Sequence, residues 1–466
     1  MDKFVSGTLT LLACACLTLG GGCGDDDNAT ENNNNAAGDD AGVDAGPDAS
    51  AGERVEIIIL DGTDSDNIGE DASAIPVADA MVAFDLPGGE RVERTTGADG
   101  RVTIYGVDWS QGSAAMTAYK DGYGMVSFVN LEANDLDATE NPFLVIVDGA
   151  VAMYLMDLSP TPPPEITVTG TATRMADSSH NYTVSTLRSL VATTWSGSGS
   201  AAFEVTAPLN EPFTLQAIEM TPIGVLPSGQ GNDVDIHRAM ELNLDPTAGP
   251  TLSVELDFFA DEIPVYTADA SMVLPARADS PLRDGIPYFL VGATDNVYTI
   301  GWGTPVDVSA DGNSFGGTVS WVEPTLITEP YIYFMVNHTL SGARSVAIEP
   351  GYPQGGMLDP PLYDVPRWVT PSDPQTEHPM HDPMAWDLFD DWTVALLIIS
   401  RSGIDIWRVN AGSGATSLTI PQPPSAVDQS SFLGPTFQAQ LIGGLRDPDE
   451  DRFDRYVDSP TVRLSR

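Results

Sequence analysis

The chain has 466 residues, with 20 Lys and Arg against 67 Asp and Glu, which gives a formal net charge of −47 at pH 7. This charge excludes a nucleic-acid-binding protein, because neutralising phosphates requires clustered cations and the only lysines are Lys3 and Lys120. Hydrophobic residues make up 42% of the chain, which is ordinary for a globular protein, and the length suggests about three domains.

The cysteines are confined to the N-terminus, at Cys14, Cys16 and Cys23. The rest of the chain therefore has no thiol for a disulfide, for a Cys-ligated metal or for a cysteine nucleophile. Its stability must come from packing.

Residues 1–23 have the pattern of an export signal. Lys3 precedes an apolar run from Phe4 to Leu19, which is shorter than the roughly 20 residues that span a bilayer, and small residues follow it. We interpret this segment as a signal peptide that is removed after export.

The leucines and small residues ending in cysteine resemble the lipobox of bacterial lipoproteins, in which the cysteine is lipidated. That resemblance implies a lipid anchor at Cys23, because an acidic segment begins directly after it. The lipobox usually has leucine at the third position before the cysteine, and the triplet Gly20–Gly22 before Cys23 departs from this pattern. Leu11–Cys14 fits the pattern, but the apolar run before it is short. Lipidation at Cys14 and plain secretion with an unmodified cysteine remain alternatives.

Residues 24–53 are rich in Asp, Asn, Ala and Gly and almost free of bulky apolar side chains. Such a segment cannot bury enough surface to offset the entropy of ordering, so we expect a disordered acidic tether. A flexible chain of about 30 residues has a root-mean-square span of about 30 Å, enough to lift a domain off a lipid surface.

Residues 54–160 read as short strands joined by tight turns. Val55–Leu60 is an apolar run, and Asp99-Gly100 and Asp121-Gly122 are turn signals between alternating segments. Short strands at hairpin spacing favour a β-sandwich that folds on its own.

Three segments of this region carry a recognisable pattern: Ala78–Val82, Thr96–Ile104 and Ala118–Tyr123. With them the region resembles the carboxypeptidase regulatory-like domain, a transthyretin-like or Ig-like β-sandwich of bacterial surface proteins. The resemblance implies a scaffold or spacer and no peptidase activity, because none of the matching residues is catalytic.

A proline-rich linker, Pro160–Pro164, ends the first domain. Alternating strands then predict a second β-sandwich over residues 165–250 and a C-terminal β-rich domain over residues 251–466. Helical periodicity is nearly absent, and 44 Gly and 36 Pro interrupt the chain. The expected fold is all-β, with tandem antiparallel β-sandwich domains after the signal peptide and the tether.

One long Pro-rich stretch, residues 352–391, is the predicted ligand-binding segment, since long structureless excursions in compact domains are usually functional or disordered. Trp368 and Trp386 can bind a ligand by ring stacking. The alternative is that these aromatic residues cover an open end of a sandwich.

Within this stretch, His378 and His381 are flanked by Glu377 and Asp382, and imidazole and carboxylate groups are suitable Zn²⁺ ligands. Pro379 prevents the two histidines from sharing one face of a helix. A solvated polar loop is the alternative interpretation.

A second candidate metal site lies near the C-terminus, where Asp447, Asp449 and Asp451 alternate as acids do in calcium loops. Arg452 stands where an EF-hand has glycine, so a solvated acidic turn is the alternative. The pattern at Gly312–Gly316 matches a nucleophile elbow, but a strand follows it where that motif needs a helix. No catalytic residue is assigned.

The sequence therefore predicts a lipid-anchored cell-envelope protein of a Gram-negative bacterium, at the outer membrane or cell surface, with a binding or structural role. Its expected partners are the membrane, through the anchor, and a carbohydrate or surface-protein ligand. No cofactor is predicted apart from a possible Ca²⁺ ion. A carbohydrate-binding adhesin and a metal-dependent hydrolase using His378 and His381 are the alternative functions.

Overall fold

The computed structural model describes the parts of the chain given at the end of this paragraph. Within them the protein is all-β, which confirms the expected class, and its α-helix in these parts is the short segment Gln429–Leu433. No helix in the same parts is long and apolar enough to cross a membrane. The described residues are 53–62, 75–137, 145–159, 165–175, 181–186, 192–196, 199–209, 212–220, 236–245, 251–257, 262–274, 280–293, 298–303, 307–308, 314–322, 330–338, 341–351, 362–387, 394–412, 414–434, 437–446 and 453–465.

The first region is a β-sandwich in which sheet β4-β1-β8-β7 faces sheet β3-β2-β5-β6. Alternate residues of β1, such as Ile57 and Ile59, lie in the same core as Phe84 and Met116 of the facing sheet. Two short 3-10 turns, Trp109–Gln111 and Ala133–Asp137, connect strands. The strands are β1 (Glu53–Asp61), β2 (Met81–Asp85), β3 (Arg91–Thr95), β4 (Arg101–Val107), β5 (Ala114–Tyr119), β6 (Met125–Leu131), β7 (Val145–Val147) and β8 (Ala150–Leu155).

The turn expected at Asp99-Gly100 is present directly before β4. Gly100 has φ +72°, and a Cβ at this position would lie 2.6 Å from the carbonyl oxygen of Ile59. Only glycine combines this backbone conformation with so close an approach.

The middle region is a second sandwich, in which sheet β12-β9-β15 faces sheet β11-β10-β13-β14-β16. Strand β15 pairs with β9, and Leu256 lies in the core of this sandwich, so the boundary expected at residue 250 is too early. The strands are β9 (Glu165–Met175), β10 (Asn181–Thr186), β11 (Ala192–Ser196), β12 (Gly199–Pro208), β13 (Phe213–Met220), β14 (Ile236–Leu244), β15 (Thr251–Asp257) and β16 (Glu262–Ile263).

The C-terminal region contains a small three-stranded sheet, β24-β26-β29, a 3-10 turn at Pro281–Asp284 and one large sheet. Its neighbouring strands run in the order β17-β21-β19-β18-β22-β23-β31-β30-β27-β28. The strands are β17 (Val265–Val273), β18 (Ile286–Ala293), β19 (Tyr298–Gly303), β20 (Asp307–Val308), β21 (Ser314–Val322), β22 (Pro330–His338), β23 (Ala343–Pro350), β24 (Arg367–Thr370), β25 (His378–Pro379), β26 (Met384–Asp387), β27 (Val394–Arg401), β28 (Ile404–Asn410), β29 (Ser417–Leu418), β30 (Phe437–Arg446), β31 (Phe453–Asp458) and β32 (Val462–Ser465).

The first sandwich and the C-terminal sheet are joined by a parallel pairing of β6 with β28, in which Val409 lies opposite Ser127. The indole N–H of Trp407 donates to Ser127 Oγ at 2.8 Å, and Ser127 Oγ is also hydrogen-bonded to Thr117 Oγ1 at 2.8 Å. Met125 belongs to the hydrophobic cluster of the C-terminal region. The sheet is therefore continuous from β3 to β17.

A second contact between these two regions involves the segment after β28, where the ring of Phe432 packs edge-on against Tyr119, with centroids 5.8 Å apart. Arg91 donates to the carbonyl oxygens of Gln422 and Pro423 at 2.6 and 3.1 Å. Ser425 donates to the carboxylate of Glu93. This segment thus covers part of the outer face of the first sandwich.

The middle sandwich is connected to the C-terminal sheet through β16 and β17, which are consecutive strands of one extended segment. β16 pairs with β14, and after Pro264 the same extended chain continues as β17 and pairs with β21. Met220 and Ile236 of the middle sandwich lie in one hydrophobic cluster with Met272 and Trp321. The C-terminal region therefore shares a sheet with the first region and a hydrophobic cluster with the middle region.

A buried ion pair crosses the C-terminal sheet between β23 and β31. Arg344 Nε donates to Asp458 Oδ2 at 2.7 Å, and both side chains are buried. Burial raises the pKa of the Asp458 carboxyl, although the neighbouring guanidinium opposes this shift.

Candidate functional site

The structure describes residues 362–387 of the predicted ligand-binding segment, and residues 352–361 and 388–391 lie outside the described parts. Strand β24 pairs with β26, β26 pairs with β29, and β25 runs parallel to β32. Buried side chains of these strands share one hydrophobic cluster with those of β27, β28 and β30. The expectation of a structureless excursion is therefore wrong for residues 362–387, because short strand pairings fix their backbone.

The two tryptophans of this segment lie opposite each other on β24 and β26. Trp368 is 5% exposed and Trp386 2% exposed, and their rings meet edge to face with centroids 5.9 Å apart. The indole N–H of Trp368 donates to the carbonyl oxygen of Pro460 at 2.8 Å. Ring stacking on a ligand needs an open face, so the role of stacking platform expected for Trp368 and Trp386 is corrected to core packing.

His378 begins β25, where it lies opposite Leu464 of β32. The next pairing is a hydrogen bond from the backbone N–H of Met380 to the carbonyl oxygen of Ser465, at 2.8 Å. The imidazole is 8% exposed, and its Nε2 atom has no hydrogen-bond partner among the described residues. A buried polar atom without a hydrogen-bond partner destabilises the folded state, so the missing partner of this nitrogen requires a structural reason.

His381 lies in the turn after β25, which a hydrogen bond from Asp382 N to Pro379 O closes at 3.1 Å. Its Nδ1 atom is 2.9 Å from the carbonyl oxygen of Ile420. Because a carbonyl only accepts, Nδ1 carries a proton, and in the neutral ring Nε2 then presents a lone pair. This Nε2 atom is also buried without a hydrogen-bond partner in the described parts.

Two methionines lie within three residues of His381 in the chain. Met380 and Met384 are fully buried and belong to the same hydrophobic cluster as Ile420 and Leu464. Neither methionine was predicted as a site residue, although the spacing His-x-Met-His-x-x-Met over residues 378–384 is visible in the sequence.

The hydrolase hypothesis required carboxylates beside the imidazoles. Glu377 and Asp382 are exposed, and the described side chains contain no group of three His, Cys, Asp or Glu that could hold a metal ion. The residues nearest to the two histidines in sequence that are also fully buried are the methionines Met380 and Met384. The other predicted site residues, Cys23, Asp447, Asp449 and Asp451, lie outside the described residues.

Comparison with known proteins gives no family for this chain. No protein-family profile and no curated protein matches it. The shaft pilin SpaA from Lactobacillus rhamnosus GG is 12% identical, with a TM-score of 0.15, and the match covers 44% of this chain and 97% of that one.

Two further solved structures are similarly distant. A DUF3823 family protein from Parabacteroides merdae is 11% identical, with a TM-score of 0.12 and coverage of 65% of this chain and 100% of that one. The fimbrial protein FimP from Actonomyces oris is 10% identical, with a TM-score of 0.16 and coverage of 68% and 98%. At these scores no function is transferred from them.

Proposed function

We propose that the protein is an exported, lipid-anchored envelope protein with a binding or structural role, held at the outer membrane or cell surface. The observation that carries this proposal is the pairing of β6 with β28, because it makes the first sandwich and the C-terminal sheet one body. A rigid body behind the acidic tether of residues 24–53 is suited to presenting a surface away from a membrane. The first sandwich serves as a carboxypeptidase regulatory-like scaffold.

Lipidation at Cys23 is the first test. Mass spectrometry of the mature N-terminus should show a diacylated or triacylated cysteine, and the chain should fractionate with membranes. Cys23→Ser should release the chain into the soluble fraction, whereas Cys14→Ser, the matched control, should leave it anchored. Membrane release by Cys14→Ser alone would assign the anchor to Cys14, and an unmodified N-terminus would overturn the anchored function.

A second candidate function, carbohydrate binding, is supported by Tyr266 on β17. Its ring is 40% exposed and stacks on the buried ring of Trp321, with centroids 5.8 Å apart and an interplanar angle of 22°. The stack fixes the tyrosine ring, so a sugar can pack its C–H face on the open side without ordering the side chain first.

A glycan array with the folded chain tests this candidate. Tyr266→Ala should abolish any signal, whereas Tyr105→Ala should keep it, because Tyr105 is an exposed aromatic residue of β4 and has no stacking partner in the described part of the chain. The carbohydrate-binding function fails if the parent gives no signal or if both variants lose it equally.

A further inference from the structure

We propose that His378, Met380, His381 and Met384 form a binding site for a soft monovalent metal ion, with Cu(I) as the natural class of ligand. The observation behind it is the pair of buried Nε2 atoms without hydrogen-bond partners in the described residues. Polar nitrogens left without a partner in a core are destabilising unless a ligand pairs with them. This inference does not depend on the lipid anchor or on glycan binding.

The tautomer of His381 suits metal binding. A ligating histidine commonly donates its other ring N–H to a backbone carbonyl, which fixes the ring and directs the remaining lone pair to the metal. His381 Nδ1 makes this contact with Ile420 O at 2.9 Å. The nitrogen available for coordination is therefore Nε2.

Backbone contacts fix the positions of the four residues. Pairing with β32 fixes His378 and Met380, and Met380 and His381 are the central residues of the turn from Pro379 to Asp382. Met384 then lies opposite Leu418, two residues before the carbonyl that anchors His381. Methionine side chains have three rotatable bonds, so the thioethers adapt to an ion with little backbone movement.

The choice of ion follows from the ligand atoms and their charge. Thioether sulfur and imidazole nitrogen bind Cu(I), whereas structural zinc sites use thiolate, imidazole or carboxylate. All four ligands are neutral, and the desolvation cost of an ion rises with the square of its charge, so a buried monovalent ion is favoured over a divalent one. Glu377 and Asp382, both exposed, add negative charge beside the site.

The test uses the full chain with Cys14, Cys16 and Cys23 replaced by serine, so that no thiol competes for the metal. Cu(I) is titrated anaerobically against the chromogenic chelator bicinchoninate, with Zn(II) in a parallel titration. We expect one Cu(I) per chain, and at least a tenfold weaker affinity in His381→Gln and in the double variant Met380→Leu/Met384→Leu. Met272→Leu, at a methionine equally buried elsewhere, is the matched control and should bind as the parent does.

Methionine-methyl NMR of the chain without these ligand substitutions gives a second readout that does not depend on variant folding. Ag(I), a redox-inert probe of the same softness, should shift the methyl signals of Met380 and Met384 and leave that of Met272 unchanged. The inference is overturned if the parent takes no Cu(I) from the chelator, if Met380→Leu/Met384→Leu binds as tightly as the parent, or if these methyl signals do not move.

Discussion

The indole N–H of Trp407 donates to Ser127 Oγ over 2.8 Å, although the two residues are 280 positions apart in the chain. Both side chains are fully buried. The bond therefore lies inside the joint between the first sandwich and the C-terminal sheet, where no water replaces it when it is lost.

Ser127→Ala should destabilise the folded chain by about 1–3 kcal/mol, because it leaves a buried indole N–H without an acceptor. Trp407→Phe removes the hydrogen-bond donor as well as some ring volume. The stability lost in the double variant Ser127→Ala/Trp407→Phe should therefore be smaller than the sum of the losses in the two single variants. Urea denaturation measures all three. Trp386→Phe is the control for lost volume, since the Trp386 N–H has no described partner; additive losses would contradict the coupling.

The first sandwich, residues 54–160, should fold when it is expressed alone, because its two sheets enclose a core of their own. We expect a β-type circular dichroism spectrum and a cooperative transition. Its melting temperature should fall below that of the full chain, since Phe432 no longer covers Tyr119 and β6 loses its partner strand. A disordered spectrum would show that the C-terminal region is required for folding.

Replacing Trp368 or Trp386 with alanine should cost about 3–5 kcal/mol of unfolding free energy, as is typical for a buried tryptophan. The physical reason is the loss of packing in the cluster that both rings share. Thermal and urea denaturation measure the loss. Unchanged stability together with lost cell-surface binding would restore the ligand-contact interpretation of these residues.

Removing one partner of the Arg344–Asp458 pair should cost about 3–5 kcal/mol, because the remaining charge is buried and uncompensated. The double variant Arg344→Met/Asp458→Leu should recover most of this loss, since two apolar groups need no pairing. A double-mutant cycle in urea measures both. If the double variant loses as much as the two single variants together, the pair is not coupled.

Stability should also depend on pH through Asp458. Burial raises its pKa in the folded chain above the ordinary value of 3.8, so the native state binds this proton more tightly than the unfolded state. The resulting stabilisation is complete below the ordinary carboxyl pKa and is lost as pH rises through the raised pKa. The free energy of unfolding is measured by denaturation at a series of pH values from about 3.5 upward, which begins near the ordinary carboxyl pKa. The parent should lose stability over this series, and the double variant Arg344→Met/Asp458→Leu should not show this loss.

The acidic segment with Asp447, Asp449 and Asp451 stays a calcium-site hypothesis, since it lies outside the described residues. An occupied site should raise the melting temperature when Ca²⁺ is added, by mass action. Asp449→Asn combined with Asp451→Asn should abolish this increment, and Mg²⁺ at the same concentration is the control. A parent chain that shows no shift with Ca²⁺ has no such site.

Local patterns predicted the all-β class and the first sandwich, because the apolar run Val55–Leu60 and the glycine required at Gly100 are properties of neighbouring residues. The joint between β6 and β28 has no local signal, since it pairs strands that are distant in sequence. Burial of Trp368 and Trp386 was left as the alternative interpretation for a related reason. Short strands in a Pro-rich stretch carry too few residues to show a period.

Within the candidate site, the two histidines were predicted from residue type and spacing alone. The buried lone pairs were not predictable, because the protonated nitrogen of His381 is set by Ile420, which is distant in the chain. The thioethers of Met380 and Met384 read as ordinary core residues in a sequence.

The order in which the chain is made gives the β6–β28 pairing a further consequence. Synthesis completes β6 at Leu131, but its partner strand begins only at Ile404. Until then β6 is an open sheet edge, which is a template for pairing with other chains. Contacts of such long range also form slowly, so the unfinished chain is the species most prone to aggregate, and the edge of β6 is protected only after β28 has been made.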